Sequence, residues 1–257
     1  MAHLIIEQIA VLSDNYVYLL HEPGSGATAA IDPALADPVL ERLDAKGWRL
    51  THILNTHHHG DHIGGNLDLV RRTGCAVVGS ARDSQRIPGI TAEVGEGDTF
   101  LLGGAAAVVL DVPGHTSGHI AFWFPDSHAV FCGDTLFSLG CGRLFEGSPG
   151  EMWASLKKLR DLPPDTKVFC AHEYTAANGR FARLVERDNQ ALAERLDQVE
   201  ALRAKDLPTI PTTIAAERAA NPFLRADMAA LAKAVGMAPG AEPVKVFAEL
   251  RRRKDVF

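Results

Sequence analysis

The chain has 257 residues, enough for one large domain or a medium one with a smaller companion. A hydrophobic content of 46% provides for a real core, and a net charge of −6 argues against a nucleic-acid partner held by bulk charge. Cys75, Cys132, Cys141 and Cys170 form no C-x-x-C pair and no disulfide framework, so they read as buried free thiols of a reducing compartment.

In chain order, residues 3–12 and 16–21 are apolar or alternating on either side of Ser13-Asp14-Asn15 and predict a β-hairpin. This opening stretch lacks a basic n-region and a long apolar h-region, with Glu7 and Asp14 interrupting it. With no run of about 18 apolar residues anywhere, the expectation is a cytoplasmic protein with no signal peptide or membrane span. Gly24-Ser25-Gly26 is a turn, and residues 27–31 form a short strand ending at Asp32-Pro33. Val39, Leu40 and Leu43 give residues 38–46 helical spacing, and Gly47 stops them. Residues 50–55 are the next strand.

That strand runs into Thr56-His57-His58-His59-Gly60-Asp61-His62, which places His57, His59, Asp61 and His62 within six residues. Residues i and i+2 of an extended segment project to the same side, so His57 and His59 can grip one ion while His58 points away. Asp61 and His62 offer a second pair of ligands on the turn before a helix over 66–72. Imidazole and carboxylate donors suit zinc, iron or manganese.

The motif of a strand ending in a ligand-type residue then recurs. Strands are predicted over 75–79, 99–102 and 105–112, the last two turning at Gly103-Gly104, and His115 follows in Pro113-Gly114-His115-Thr116. Residues 120–124 and 129–132 flank Pro125-Asp126-Ser127, and the second runs into Gly133-Asp134-Thr135. A helix over 152–160 precedes a strand over 167–171 that ends at His172. Ligands at successive strand ends converge on one sheet edge, where open α/β proteins place their sites. Asp32 and His119 read as turn capping and a satisfied histidine rather than as supports for a ligand, and Cys141 as a structural thiol rather than a nucleophile. From about residue 174 the composition turns to Ala, Leu, Glu and Arg without strand signal. Helices are predicted over 175–205, from Thr213, over 226–236 and over 243–252, with a break at residues 207–211.

Together, H-x-H-x-D-H, Gly114-His115, Gly133-Asp134-Thr135 and Ala171-His172 resemble the metallo-β-lactamase superfamily over residues 1–172. The resemblance implies an α/β fold, an αββα sandwich over residues 1–173, with a smaller all-α substrate-binding domain over 174–257. It implies two divalent metal ions, zinc in the first instance and iron or manganese otherwise. His57, His59 and His115 would hold one ion and Asp61, His62 and His172 the other, with Asp134 bridging. Asp61 and Asp134 would orient a metal-bridging hydroxide.

Within the superfamily the chain is similar to the hydroxyacylglutathione hydrolases, or glyoxalase II. Asp14-Asn15-Tyr16, Cys141-Gly142-Arg143, His172-Glu173-Tyr174-Thr175, Asn221-Pro222-Phe223-Leu224-Arg225 and the basic stretch 251–254 carry that similarity. It implies hydrolysis of S-(2-hydroxyacyl)glutathione, such as S-D-lactoylglutathione, in methylglyoxal detoxification. By position Arg143, Tyr174, Arg251 and Lys254 would bind the glutathione moiety. Arg143 stands where many relatives carry lysine, and Phe145 where many carry tyrosine. A monomer whose partner is this small thioester is expected, without nucleic acid or membrane. The alternatives are a mononuclear iron persulfide dioxygenase and a non-catalytic metal-binding module of the same fold.

Overall fold

The opening hairpin forms where alternation predicts it: β1 (Ile5–Val11) pairs antiparallel with β2 (Asn15–Glu22), Val11 facing Asn15 across the turn. The structure, a computed structural model, describes residues 3–257; Met1 and Ala2, at the start of the predicted first domain, lie outside the described residues. The chain resolves into two compact units, residues 1–111 with 117–133, and residues 112–116 with 134–257.

In the first unit, β2 pairs antiparallel with β3 (Ala27–Ile31), and helix α1 (Ala36–Lys46) crosses over to β4 (His52–Leu54), parallel to β3. Gly47, at φ 65°, ends α1 in the left-handed conformation; its N–H reaches Asp44 and that of Trp48 reaches Leu43. A single helical turn, α2 (Gly60–Ile63), and α3 (Asn66–Thr73) lead to β5 (Ala76–Ser80) and then β6 (Ala92–Val94), both parallel to their predecessors. Four antiparallel neighbours follow: β7 (Thr99–Leu102), β8 (Ala105–Asp111), β9 (Ile120–Phe124) and β10 (Ala129–Gly133).

Val39 and Leu43 of α1 and Leu69 of α3 bury against Val17, Leu19, Ile53 and Val77 of the first sheet. On the sheet's other face Tyr18 of β2 meets Phe131 of β10 edge-on at 5.5 Å. Both faces of β3 to β5 are therefore covered, as their near-continuous apolar sequences require of parallel strands.

The second unit begins with a two-residue hairpin, β11 (Leu136–Phe137) and β12 (Gly140–Cys141). Helix α4 (Pro149–Arg160) starts on a reciprocal cap between Ser148 and Glu151, with proline in its first turn. There follow β13 (Lys167–Cys170), α5 (Thr175–Val185), α6 (Gln190–Arg203), β14 (Thr212–Thr213), α7 (Ile214–Ala220), α8 (Ala229–Ala234) and α9 (Pro243–Asp255). Phe181 stacks on Phe223, Phe223 meets Phe247 edge-on and Phe247 lies tilted against Trp153, at ring separations of 5.9 to 6.3 Å, joining α5, α9 and α4.

Two details depart from the sequence expectations. Asp61 and His62 ride the helical turn α2 rather than an open turn. The segment after residue 174 also contains one extended piece: Thr212 and Thr213 pair with Val168 and Lys167. Two residues are too few to show a period of two, and Thr213 serves mainly as the cap of α7, accepting from Ala216 N–H. Among the described residues no helix is long and apolar enough to cross a membrane.

Candidate metal centre

Four of the seven predicted ligands belong to the first unit, where β4 delivers them. Asp32, at φ 48° just past β3, turns its carboxylate onto the start of the loop: Oδ1 accepts from Thr56 N–H at 2.7 Å and Oδ2 from Thr56 Oγ1 at 2.6 Å. The same Oδ2 lies 3.1 Å from His62 Nδ1. With Nδ1 held by this carboxylate, His62 offers Nε2, and Asp61 Oδ2 lies 3.6 Å from that nitrogen. Asn15, the first residue of β2, donates to Asp61 Oδ2 at 2.9 Å and so fixes the carboxylate's direction.

His57 Nε2 and His59 Nδ1 stand 3.1 Å apart, and His58 points away, with its Nδ1 3.0 Å from the buried carboxylate of Asp83. His119 stacks on His57 at 4.6 Å with its own Nδ1 near the Ile120 carbonyl. Asp32 and His119 thus contact His62 and His57, two of the predicted ligands, while Asp32 also caps the turn at Thr56. Asn15 was visible only as part of a family signature, because nothing in the sequence tells which carboxylate a distant amide will meet.

The other three belong to the second unit. Asp134 Oδ2 lies 3.4 Å from His115 Nε2 and 3.4 Å from His172 Nε2, and all three residues are buried. His115 Nδ1 is 2.9 Å from the Arg143 carbonyl, which fixes its tautomer and leaves Nε2 a lone pair. Gly142 closes over this pair: a Cβ there would collide with the Asp134 carbonyl and lie 3.2 Å from His115 Nδ1. Gly133, at φ 48°, likewise leaves no room for a side chain, since a Cβ would sit 2.9 Å from the His119 ring.

These spacings fit a metal ion. Zinc–nitrogen bonds of about 2.0–2.1 Å place neighbouring donors of one tetrahedral ion roughly 3.3–3.4 Å apart. Asp134 Oδ2 lies at that separation from both imidazole nitrogens. The His/Asp donor set binds a divalent metal.

The predicted substrate residues differ in exposure. Arg143 is exposed, and Tyr174, 36% exposed, stacks flat on His172 at 4.7 Å. Phe145, 62% exposed, stands edge-on to His115 at 5.2 Å. Lys254 is half-buried with its ammonium over Phe181 and Phe257; burial first, then Arg251, Arg180 and Arg143, depresses its pKa. Arg251 is not on an open helix face. At 5% exposure it donates to the Cys141 carbonyl at 2.9 Å and to Asp255, and it lies over the Phe223 ring. Burial pushes the Cys141 thiol up to about 11, which agrees with a structural thiol.

Residues 15–172 match the Metallo-beta-lactamase superfamily and residues 173–257 match the Hydroxyacylglutathione hydrolase C-terminus. A hydroxyacylglutathione hydrolase of Methylococcus capsulatus is 64% identical over 254 residues, 99% of this chain and 99% of that protein. The crystal structure of ETHE1 from Myxococcus xanthus superposes with a TM-score of 0.70 at 26% identity, covering 96% of this chain and 90% of that one. TTHA1623 in a di-iron-bound form superposes with a TM-score of 0.62 at 27% identity, covering 85% of this chain and 99% of that one.

Proposed function

The chain belongs to the hydroxyacylglutathione hydrolase family of the metallo-beta-lactamase superfamily, and from that premise we propose that it hydrolyses S-(2-hydroxyacyl)glutathione, S-D-lactoylglutathione above all, at a binuclear metal centre. The observation that carries this reading is that Asp134 Oδ2 is equidistant from His115 Nε2 and His172 Nε2, 3.4 Å from each. His57, His59 and His115 would hold one ion, Asp61, His62 and His172 would hold the other, and Asp134 would serve both. Zinc suits the donors best; the di-iron form of TTHA1623 makes iron the second choice.

When bound, divalent ions acidify a coordinated water from near 16 to about 7 and polarise the acyl carbonyl. The protein's own residues do the positioning. Asp61, held by Asn15, and Asp134 accept the attacking water's hydrogen bonds and point its oxygen at the carbonyl carbon. The new carbon–oxygen bond forms, the carbon–sulfur bond breaks, and the sulfur leaves as a thiolate. Because its parent thiol has a pKa near 8.5, it needs no strong general acid. The products are D-lactate and glutathione.

Arg143, Tyr174, Arg251 and Lys254 receive the glutathione moiety, whose two carboxylates suit paired cations. Lys254 is the accessible cation of its pair, while Arg251 adds positive potential and holds the Cys141 carbonyl. The test is hydrolysis of S-D-lactoylglutathione by the purified chain before and after chelation, with metal analysis. Thioester cleavage that is lost with the metal and restored on reloading supports the reading. A metal-loaded chain that leaves the thioester intact, or takes up oxygen with glutathione persulfide instead, overturns it.

A further inference from the structure

Glu217, on α7, is completely buried, and no step of the proposed reaction uses it. Its carboxylate accepts four hydrogen bonds: Oε1 from Ser138 Oγ at 2.9 Å and Thr212 Oγ1 at 2.8 Å, Oε2 from Leu139 N–H at 2.8 Å and Asn221 Nδ2 at 3.0 Å. Two of these donors form the tip of the β11–β12 hairpin. Leu139 sits there at φ 59°, a left-handed conformation that is unfavourable for leucine. The bond from its N–H holds that conformation, which also drops the side chain among Ala182, Leu192 and Ala220 of α5, α6 and α7. Asn221 Nδ2 reaches the carbonyls of Phe137 and Gly140, and Asn178 of α5 reaches that of Ser138.

The hairpin so gripped begins just after Asp134 and ends just before Gly142 and Arg143. Its base is closed by Gly142 N–H on the Thr135 carbonyl at 3.2 Å, and the Arg143 carbonyl orients His115 at 2.9 Å. Tip and base are only a few residues apart, so a shift at the tip moves the backbone that carries both Asp134 and the acceptor for His115.

We infer that Glu217 is a positioning residue for the metal centre, setting Asp134 and His115 through the β11–β12 hairpin. This rests on the reading of Asp134 and His115 as metal ligands. Its test compares full-length Glu217→Ala, Glu217→Gln and Asp134→Ala with the unchanged chain, each stripped and reloaded with cobalt(II). Cobalt affinity and the visible ligand-field spectrum are read alongside far-ultraviolet circular dichroism.

Glu217→Ala weakens cobalt binding roughly 10- to 100-fold, the range for loss of an outer support of a metal ligand, and shifts the ligand-field bands. Glu217→Gln stays near the unchanged chain. Its amide oxygen serves Leu139 and Asn221, and its NH2 faces two hydroxyls able to turn and accept. A folded Glu217→Ala with unaltered affinity and spectrum overturns the inference, as does a glutamine variant as impaired as alanine. Should the alanine variant not fold, Ser138→Ala removes one hairpin donor. A weaker version of the same spectral and affinity change supports the inference, and no change overturns it. If Asp134→Ala itself binds cobalt like the unchanged chain, the ligand assignment fails instead.

Discussion

At the scale of single residues, Asp134 is the ligand with the most to lose. Its one oxygen faces two imidazoles, so Asp134→Ala removes a donor from both proposed ions at once. Metal content is expected to fall from two ions per chain to one or fewer. Activity falls on the order of a thousandfold, as expected for several kcal/mol of lost charge stabilisation. Metal analysis and initial rates on the same preparation check both. Lys254 yields a prediction in pH. Its ammonium is the form that meets a carboxylate, and burial with neighbouring cations lowers its pKa. As pH rises through that lowered value the charge is lost, so kcat/KM for the thioester falls before the ordinary lysine range near 10.4 is reached. Lys254→Arg keeps its charge there, and its profile loses this alkaline limb; an unchanged limb would assign the titration elsewhere.

At the scale of elements, α9 carries more than its basic stretch. Val246, Phe247 and Leu250 are fully buried, and Phe247 meets both Trp153 of α4 and Phe223. Removing the chain after about residue 240, a natural way to ask whether the terminal cations bind substrate, would therefore take out core as well. Phe247→Ala alone is expected to cost about 3–5 kcal/mol of stability, seen as an earlier midpoint in urea with little change in slope. Point changes at Lys254 are the cleaner probe of binding. The elements show which parts of the site can be read from sequence. Strand ends preceding His57, His115, Asp134 and His172 stand out because an apolar run stops at a ligand-type residue. The left-handed turn at Leu139 does not, because nothing local favours leucine there; its reason lies in helices that come much later.

At the scale of the whole molecule, the metallo-beta-lactamase fold was legible through the resemblance carried by the ligand motifs, and the helical C-terminal segment through its composition. By packing, the second unit takes in residues 112–116 and everything from Asp134, so three of the seven predicted ligands are grouped with the helices. Periodicity reports what each segment becomes; it carries no record of the company that segment keeps.

The bond between Leu139 and Glu217 spans 78 residues, and that distance orders events in time. Closing a loop of this length costs entropy before any contact rewards it, so the hairpin tip locks late in folding. On a growing chain, the predicted ligands His57 to His62 are made early, whereas on the inference above Asp134 and His115 would be set only after α7 has emerged. Metal capture is therefore expected at a late stage of maturation. In refolding, the cobalt ligand-field signal should rise after helical ellipticity has recovered, and a signal that rises first would place capture ahead of the helices.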